Sequence, residues 1–152
     1  LLERLGSRHL AETGGRRGLL YYQKAPLAGT NHEKLRTVLH AALENCRRLE
    51  RDAALYGKIK FSGDEVSISV NDRLVAPNDA QTYQSLKPDL EQMATELFRP
   101  AKAIISHKQD TRQRFSVAIR TFESLSLDML LANLGPRKLD SMATDRGSRF
   151  ST

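Results

Sequence analysis

The sequence predicts an α+β fold in which two or three helices cover one face of a four- or five-stranded, mainly antiparallel sheet. Two observations favour this class. Amphipathic helical stretches alternate with short segments whose apolar residues recur at every second position. The chain of 152 residues contains a single Cys and no apolar run near the roughly 20 residues of a bilayer span, which excludes an internal disulfide framework and a membrane-spanning helix.

The first thirty residues are expected to form a short helix followed by an arm. Four leucines predict a helix over about 1–12, and the two glycines after Thr13 end it. These leucines are Leu1, Leu2, Leu5 and Leu10. Leu19–Gln23 predicts a short strand or an extended arm.

The clearest helix is expected from residue 31 to about residue 52. Thr30 and Glu33 have the spacing of a capping box, in which each side chain accepts a hydrogen bond from the other residue's backbone. Apolar residues then recur at helical spacing at Leu35, Val38, Leu39, Ala42, Cys46 and Leu49.

Strands are expected after this helix. Ile59–Phe61 and Val66–Val70 alternate around Ser62–Glu65 and predict a β-hairpin with one polar face. Leu74–Val75 predicts a short third strand, which Pro77 ends.

The second half of the chain predicts a helix, two strands and a last helix. Asn78 or Asp79 is expected to cap the first of these helices, which either kinks at Pro88 or begins there after an early turn. The strands are expected at 101–107 and 115–120, with a polar loop between them. The last helix contains Leu127, Leu130, Leu131 and Leu134 on one face.

These elements predict a single domain over residues 1–136 and a basic tail at 137–152. The domain would comprise the N-terminal helix and arm (1–30) and an αββαββα core (31–136). Lys58–Val70 and Lys102–Ile119 have the same element order, so a duplicated αββ unit is one interpretation. The polar residues that alternate with the apolar ones are expected to face water or a partner; they are Ser67, Ser69, Ser116 and Arg120.

The net charge of +6 is concentrated at the two ends of the chain. Residues 1–18 and residues 137–152 each carry a net charge of +2, as does the much longer segment 19–136. If the protein binds nucleic acid, basic residues in the two ends are the expected phosphate contacts. They are Arg4, Arg8, Arg16, Arg17, Arg137, Lys138, Arg146 and Arg149.

No set of residues converges on a catalytic or metal-binding pattern. His40 and Glu44 have the i, i+4 spacing of two metal ligands, but no third or fourth ligand is near them, so a solvated charged helix face shared with Arg36, Arg47 and Arg51 is favoured. Cys46 occupies an apolar position typical of a small core residue. No catalytic residue, metal or cofactor is therefore predicted.

The order helix, strands, helix, two strands, helix over roughly 31–134 is similar to that of small secretion-chaperone-like domains. The resemblance implies a dimer that binds unfolded partner segments.

The sequence favours a non-enzymatic binding or protein-interaction module that self-associates, in the cytoplasm and away from membranes. An exposed sheet face or an edge strand would be its contact surface. Two alternatives stay open. One is a nucleic-acid-associated protein that uses the basic ends. The other is a small-molecule enzyme with a polar pocket between sheet and helices, near His40, His107 or Asp72.

Overall fold

The structure, a computed structural model, describes residues 6–13, 16–55 and 57–136. Within these ranges the predicted α+β class is confirmed. The elements in chain order are β1 (Gly6–Thr13), β2 (Arg16–Gln23), α1 (Asn31–Arg51), β3 (Glu65–Val70), α2 (Ala80–Phe98), β4 (Ala103–His107), β5 (Phe115–Thr121) and α3 (Leu127–Leu134).

The chain divides into two compact units. The first runs up to Phe61 and resumes at Leu127, so it contains β1, β2, α1 and α3. The second, Ser62–Ser126, contains β3, α2, β4 and β5. The single domain over 1–136 stays a prediction, and the proposed basic tail lies outside the described residues.

In the first unit, β1 and β2 form an antiparallel hairpin, so the predicted helix over 1–12 is wrong for its described part. Thr13 pairs with Arg16, and only Gly14 and Gly15 separate them in the sequence. Two glycines between two pairing segments are a typical hairpin connection. The glycines that were expected to end a helix therefore join two strands, and the predicted strand at Leu19–Gln23 lies within β2.

Helix α1 begins and ends within one residue of its predicted bounds. Both bonds of the capping box are present: Thr30 Oγ1 accepts from the Glu33 N–H at 3.2 Å, and Glu33 Oε2 accepts from the Thr30 N–H at 2.9 Å. These bonds satisfy two N–H groups that a helix N-terminus otherwise leaves without partners. Helix α1 packs against both β2 and α3.

Arginines on α1 bind both ends of α3. Near the start of α1, the Arg36 guanidinium donates through Nε, at 2.7 Å, and through Nη2 to the Leu134 carbonyl at the end of α3. Near the end of α1, Arg51 Nη2 lies 3.2 Å from Oδ1 of Asp128, in the first turn of α3. The two helices are therefore antiparallel, and α3 has an acidic residue in its first turn and an arginine at its last carbonyl, as its dipole favours.

This contact corrects the charged stripe predicted on α1. Arg36, Arg47 and Arg51 contact α3 and His40 is buried, so only part of the stripe is solvated, chiefly the exposed Arg51. The wider buried surface of α1 comprises Leu39, His40, Ala41, Leu43, Asn45 and Cys46.

The second unit contains an antiparallel sheet with the order β3–β5–β4. Its described part has three strands, fewer than the four or five predicted, and β1–β2 forms a separate two-stranded sheet. Helix α2 packs against β4. The buried side chains of α2 and β5 are Leu90, Met93, Ala94, Leu97, Phe98, Phe115, Val117, Ile119 and Thr121.

The hairpin predicted over 59–70 contains only its second strand, β3. The Phe61 N–H donates to Glu50 Oε1 at 2.7 Å, so a side chain of α1 accepts the bond that a strand ladder would otherwise use. Strand β3 pairs with β5 instead. The duplicated αββ unit stays a prediction.

The predicted third strand at Leu74–Val75 is a turn. Asp72 Oδ1 accepts the N–H groups of Leu74 and Val75 at 2.9 and 3.3 Å. An aspartate that bonds the backbone two residues onward favours a turn over a strand. The turn leaves Leu74 96% exposed and Val75 79% exposed.

Helix α2 is one helix that contains Pro88, so no early turn precedes it. Asp79 is its N-cap, and Asp79 Oδ1 accepts from the Thr82 N–H at 2.8 Å. This backbone bond is the main reason that the pKa of the Asp79 carboxyl is lowered; smaller contributions come from the Thr82 side chain, Gln81 and His107.

The two ends of the second unit lie side by side. The Leu125 N–H donates to the Gly63 carbonyl at 3.3 Å, and the Thr121 N–H donates to the Asp64 carbonyl at 2.9 Å. Gly63 is buried, and a Cβ at this position would overlap the Leu125 carbonyl. Only glycine therefore permits this close backbone approach.

Candidate functional site

Strand β5 gives the sheet two different faces. Phe115, Val117 and Ile119 are buried, whereas Ser116 and Arg120 are exposed. Successive side chains of a strand point to opposite faces, so the second set lies on the uncovered side. We call this side the open face and define it by Ser67, Ser69, Ile104, Ser106, Ser116, Ala118 and Arg120. The predicted exposure of Ser67, Ser69, Ser116 and Arg120 is confirmed.

Small side chains occupy the middle of the open face. Ser69 pairs with Ser116 across the strands, and their hydroxyls share a hydrogen bond of 2.9 Å. In the next row Ala118 pairs with Ser67 on one side and Ser106 on the other. These side chains extend little above the sheet, so another chain has access to a flat surface here.

One end of the open face is apolar. Ile104 is 51% exposed and pairs with Arg120, whose Nε lies 3.1 Å from Glu65 Oε2. Phe122 directly follows β5 and is 92% exposed. Large apolar side chains that the fold leaves in water are typical of contact surfaces when they lie close together.

The other end is basic. Asn71, Arg73, Arg112, Gln113, Arg114 and Ser116 line an open concavity of about 630 Å³. We call it the basic concavity. Two loops supply it, one after β3 and one before β5, and Ser116 belongs to both the basic concavity and the open face.

Two of the three arginines in the basic concavity bind neutral acceptors. Arg73 Nη1 donates to the Arg112 carbonyl at 2.8 Å, and Arg114 Nη1 donates to Asn71 Oδ1 at 3.0 Å. Arg112 pairs with Asp110, with Nε 3.1 Å from Oδ1, and this side-chain bond is the main reason that the pKa of Asp110 is lowered. Among the described carboxylates, none lies within 4.0 Å of Arg73 or Arg114.

His107 lies beside the basic concavity in a network of its own. Its ring stacks on Tyr83 with the centroids 4.6 Å apart, and the Phe115 ring is 5.1 Å away. Nε2 lies 2.7 Å from Oδ1 of the buried Asn78, whose amide donates to the Lys108 carbonyl at 3.2 Å. Because an amide oxygen only accepts, Nε2 is the donor in this contact.

Three residues, His40, His107 and Asp72, were predicted as alternative positions of an enzyme pocket, and each has surroundings of its own. His107 lies on a shallow concavity of about 290 Å³. The polar partner of its ring is the carboxamide of Asn78. Asp72 serves the turn after β3, and His40 is buried on α1, in the first unit.

Cys46 is buried in α1, as predicted for a small core residue. Burial, with a smaller contribution from the charge of Glu50, raises the pKa of its thiol to about 12. The thiol is therefore protonated at neutral pH and is a poor nucleophile. Glu44 pairs with Arg47 at 3.1 Å and with Arg48 at 3.8 Å. Among the described residues, no three His, Cys, Asp or Glu side chains are grouped to hold a metal ion.

None of the described basic residues that were predicted as phosphate contacts lines the basic concavity. Three of them lie on the β1–β2 hairpin, where the strand register places Arg8 opposite Tyr21, Arg17 opposite Glu12, and Arg16 opposite Thr13. The other five lie outside the described residues: Arg4, Arg137, Lys138, Arg146 and Arg149. Sequence reasoning missed Arg73, Arg112 and Arg114. Extending the alternation of Ser116 and Arg120 backwards reaches Arg114 and Arg112 and is the signal that was available.

In the described part of the chain, no helix has the length and apolar character needed to cross a bilayer. No family model matches this chain, and no curated protein or solved structure matches it.

Proposed function

We propose that this chain is a non-enzymatic protein-interaction module that self-associates through the open face. The observation that carries the proposal is the pair of exposed apolar side chains, Ile104 and Phe122, at one end of an otherwise small and polar sheet surface. Burying such side chains against a second copy removes their apolar area from water, which is the main favourable term in protein association.

The sheet edges support the same proposal. In the described residues β3 and β4 each pair only with β5, so each strand has one edge without a strand partner. Free backbone N–H and C=O groups at an edge accept an added strand. A contact at the apolar end can therefore combine side-chain burial on Ile104 with backbone pairing along β4.

Light scattering on a size-exclusion column tests the proposal. The wild-type chain is expected to have the mass of a dimer, with no excess absorbance at 260 nm. The variant Ile104→Glu/Phe122→Glu is expected to have the mass of a monomer, because two buried carboxylates oppose association. Gln81→Glu/Gln84→Glu places the same two charges on exposed positions of α2 and is expected to stay dimeric. A monomeric wild type, or a dimeric double variant, would contradict the proposal.

Nucleic-acid binding is the second candidate, and the three arginines of the basic concavity favour it together with the basic chain ends. It predicts a complex with absorbance at 260 nm whose affinity falls steeply with salt. Replacing the eight basic residues of the two ends by Gln is expected to weaken such binding. Unchanged binding of this variant rules out the role of the ends.

A further inference from the structure

We infer that the basic concavity binds acidic side chains of an extended segment of a partner protein. This inference rests on the proposed function, because it names the partner chemistry for one end of the same open face. It concerns the arginine end, whereas the proposed self-association concerns the end with Ile104 and Phe122.

Charge complementarity is the first argument. Three guanidinium groups line the basic concavity, and those of Arg73 and Arg114 bond only neutral oxygens within the described residues. The guanidinium group matches the geometry of a carboxylate with two parallel donors. The basic concavity is open to solvent, so several side chains of one segment can enter it together.

The distribution of charge favours an acidic protein segment over a nucleic acid. Residues 62–126 contain eight Lys and Arg against nine Asp and Glu, so the positive charge is local to this end of the sheet. Nucleic acids require cations that follow many phosphates, and single strands also require aromatic side chains on which bases stack. None of the residues that line the basic concavity is aromatic.

The position of the basic concavity favours an extended segment. It is continuous with the open face through Ser116, and the flat cross-strand pair Ser69–Ser116 is the row of the open face next to it. A segment that adds to a sheet edge alternates its side chains, so every second one lies over the same face. Acidic residues at every second position would thus meet the arginines in succession.

Fluorescence anisotropy with labelled probes tests the inference on the full chain. The probe is a decapeptide of alternating Thr and Glu, compared with alternating Thr and Gln and with a ten-nucleotide oligothymidine. We expect the acidic peptide to bind at least about tenfold more tightly than the other two probes at low salt. Its affinity is expected to fall when salt shortens the range of the charges.

The decisive variant is Arg73→Gln/Arg114→Gln. We expect it to weaken binding of the acidic peptide by about tenfold, because two charge-assisted bonds are lost. Lys87→Gln/Lys102→Gln removes the same charge elsewhere in the second unit and is expected to change the affinity by less than about twofold. Arg73→Lys/Arg114→Lys keeps the charge without the paired donors, and its affinity for the acidic peptide is expected to lie between those of the two glutamine variants. Circular dichroism checks that each variant is folded.

Three outcomes overturn the inference. The first is equal binding of the Thr–Glu and Thr–Gln peptides, and the second is equal loss in the arginine and lysine variants. The third is a preference for oligothymidine that requires Arg73 and Arg114, which assigns the basic concavity to nucleic acid. A wild type that dimerises through Ile104 and Phe122 leaves the proposed function standing in all three cases, so the two failures are distinguishable.

Discussion

The two faces of β5 differ in burial, although their residues alternate along one strand. On the covered face Val117 and Ile119 are buried, and their contribution is to the stability of the second unit. On the open face Ser116 and Arg120 are exposed, and their bonds reach only Ser69 and Glu65 across the sheet. The difference indicates that the stability of the second unit depends mainly on the covered face, which leaves the open face available for the contacts proposed above.

The largest expected effect is the difference in stability between substitutions on the covered face and on the open face. Ile119→Ala removes a fully buried side chain and is expected to lower the free energy of unfolding by about 3 kcal/mol. Arg120→Ala, at the next residue, breaks only an exposed ion pair with Glu65 and is expected to lower it by less than about 1 kcal/mol. Urea unfolding followed by circular dichroism measures both values. Equal losses would show that the open face also supports the fold.

A smaller effect is expected where the covered face meets its helix. Asn78→Ala removes the acceptor of the His107 ring N–H and the donor to the Lys108 carbonyl, and both bonds lie in a part-buried site. We expect a loss of about 2 kcal/mol, because a polar group in such a site is left without its partner. Asn71→Ala, at the exposed basic end, is the matched control and is expected to cost less than about 0.5 kcal/mol. Similar losses of stability for both variants would show that the bonds of Asn78 contribute no more than those of the exposed Asn71.

The smallest expected effect concerns pH. The pKa of Asp79 is lowered in the folded protein, so the charged N-cap stabilises α2 above the ordinary carboxyl pKa of 3.8. That contribution is lost as the pH falls from 3.8 through the lowered folded pKa. Asp79→Asn keeps an acceptor at the cap but does not titrate.

Thermal unfolding between about pH 6 and pH 2 makes this comparison. The Tm of the wild type is expected to exceed that of Asp79→Asn near neutral pH, and the two values are expected to converge in acid. Parallel Tm curves would show that the charge of Asp79 contributes nothing to the covering helix.

Local signals made part of the fold predictable. Helix α1 was predicted almost to its ends because the Thr30–Glu33 capping box and the apolar stripe both lie within the helix itself. The β1–β2 hairpin was missed because the early leucines resemble a helical pattern, and a pair of glycines is compatible with both the end of a helix and a hairpin connection. Ile59–Phe61 has strand alternation, but the Phe61 N–H donates to Glu50 and not to a neighbouring strand. Glu50 is eleven residues away on α1, so no local pattern shows this contact.

The same limit applies to the candidate site. Alternation along β3 and β5 predicted the exposed serines and Arg120, because it depends only on strand geometry. The basic concavity was not predicted, because Arg73 and Arg112 are 39 residues apart and come from two separate loops. A charge count along the chain directed attention to the two ends, since the charge of residues 62–126 is nearly balanced.

The order of the two units along the chain has a consequence for protein synthesis. A ribosome releases β1, β2 and α1 first, then all of Ser62–Ser126, and α3 only afterwards. Compact units fold separately as they emerge, at about 5–20 residues per second. The second unit, whose ends meet at Gly63 and Leu125, can therefore complete its sheet while Arg36 and Arg51 still lack the residues of α3 that they bind. Ribosomes stalled before and after Leu134 has left the exit tunnel are expected to carry, respectively, one protease-resistant unit and two.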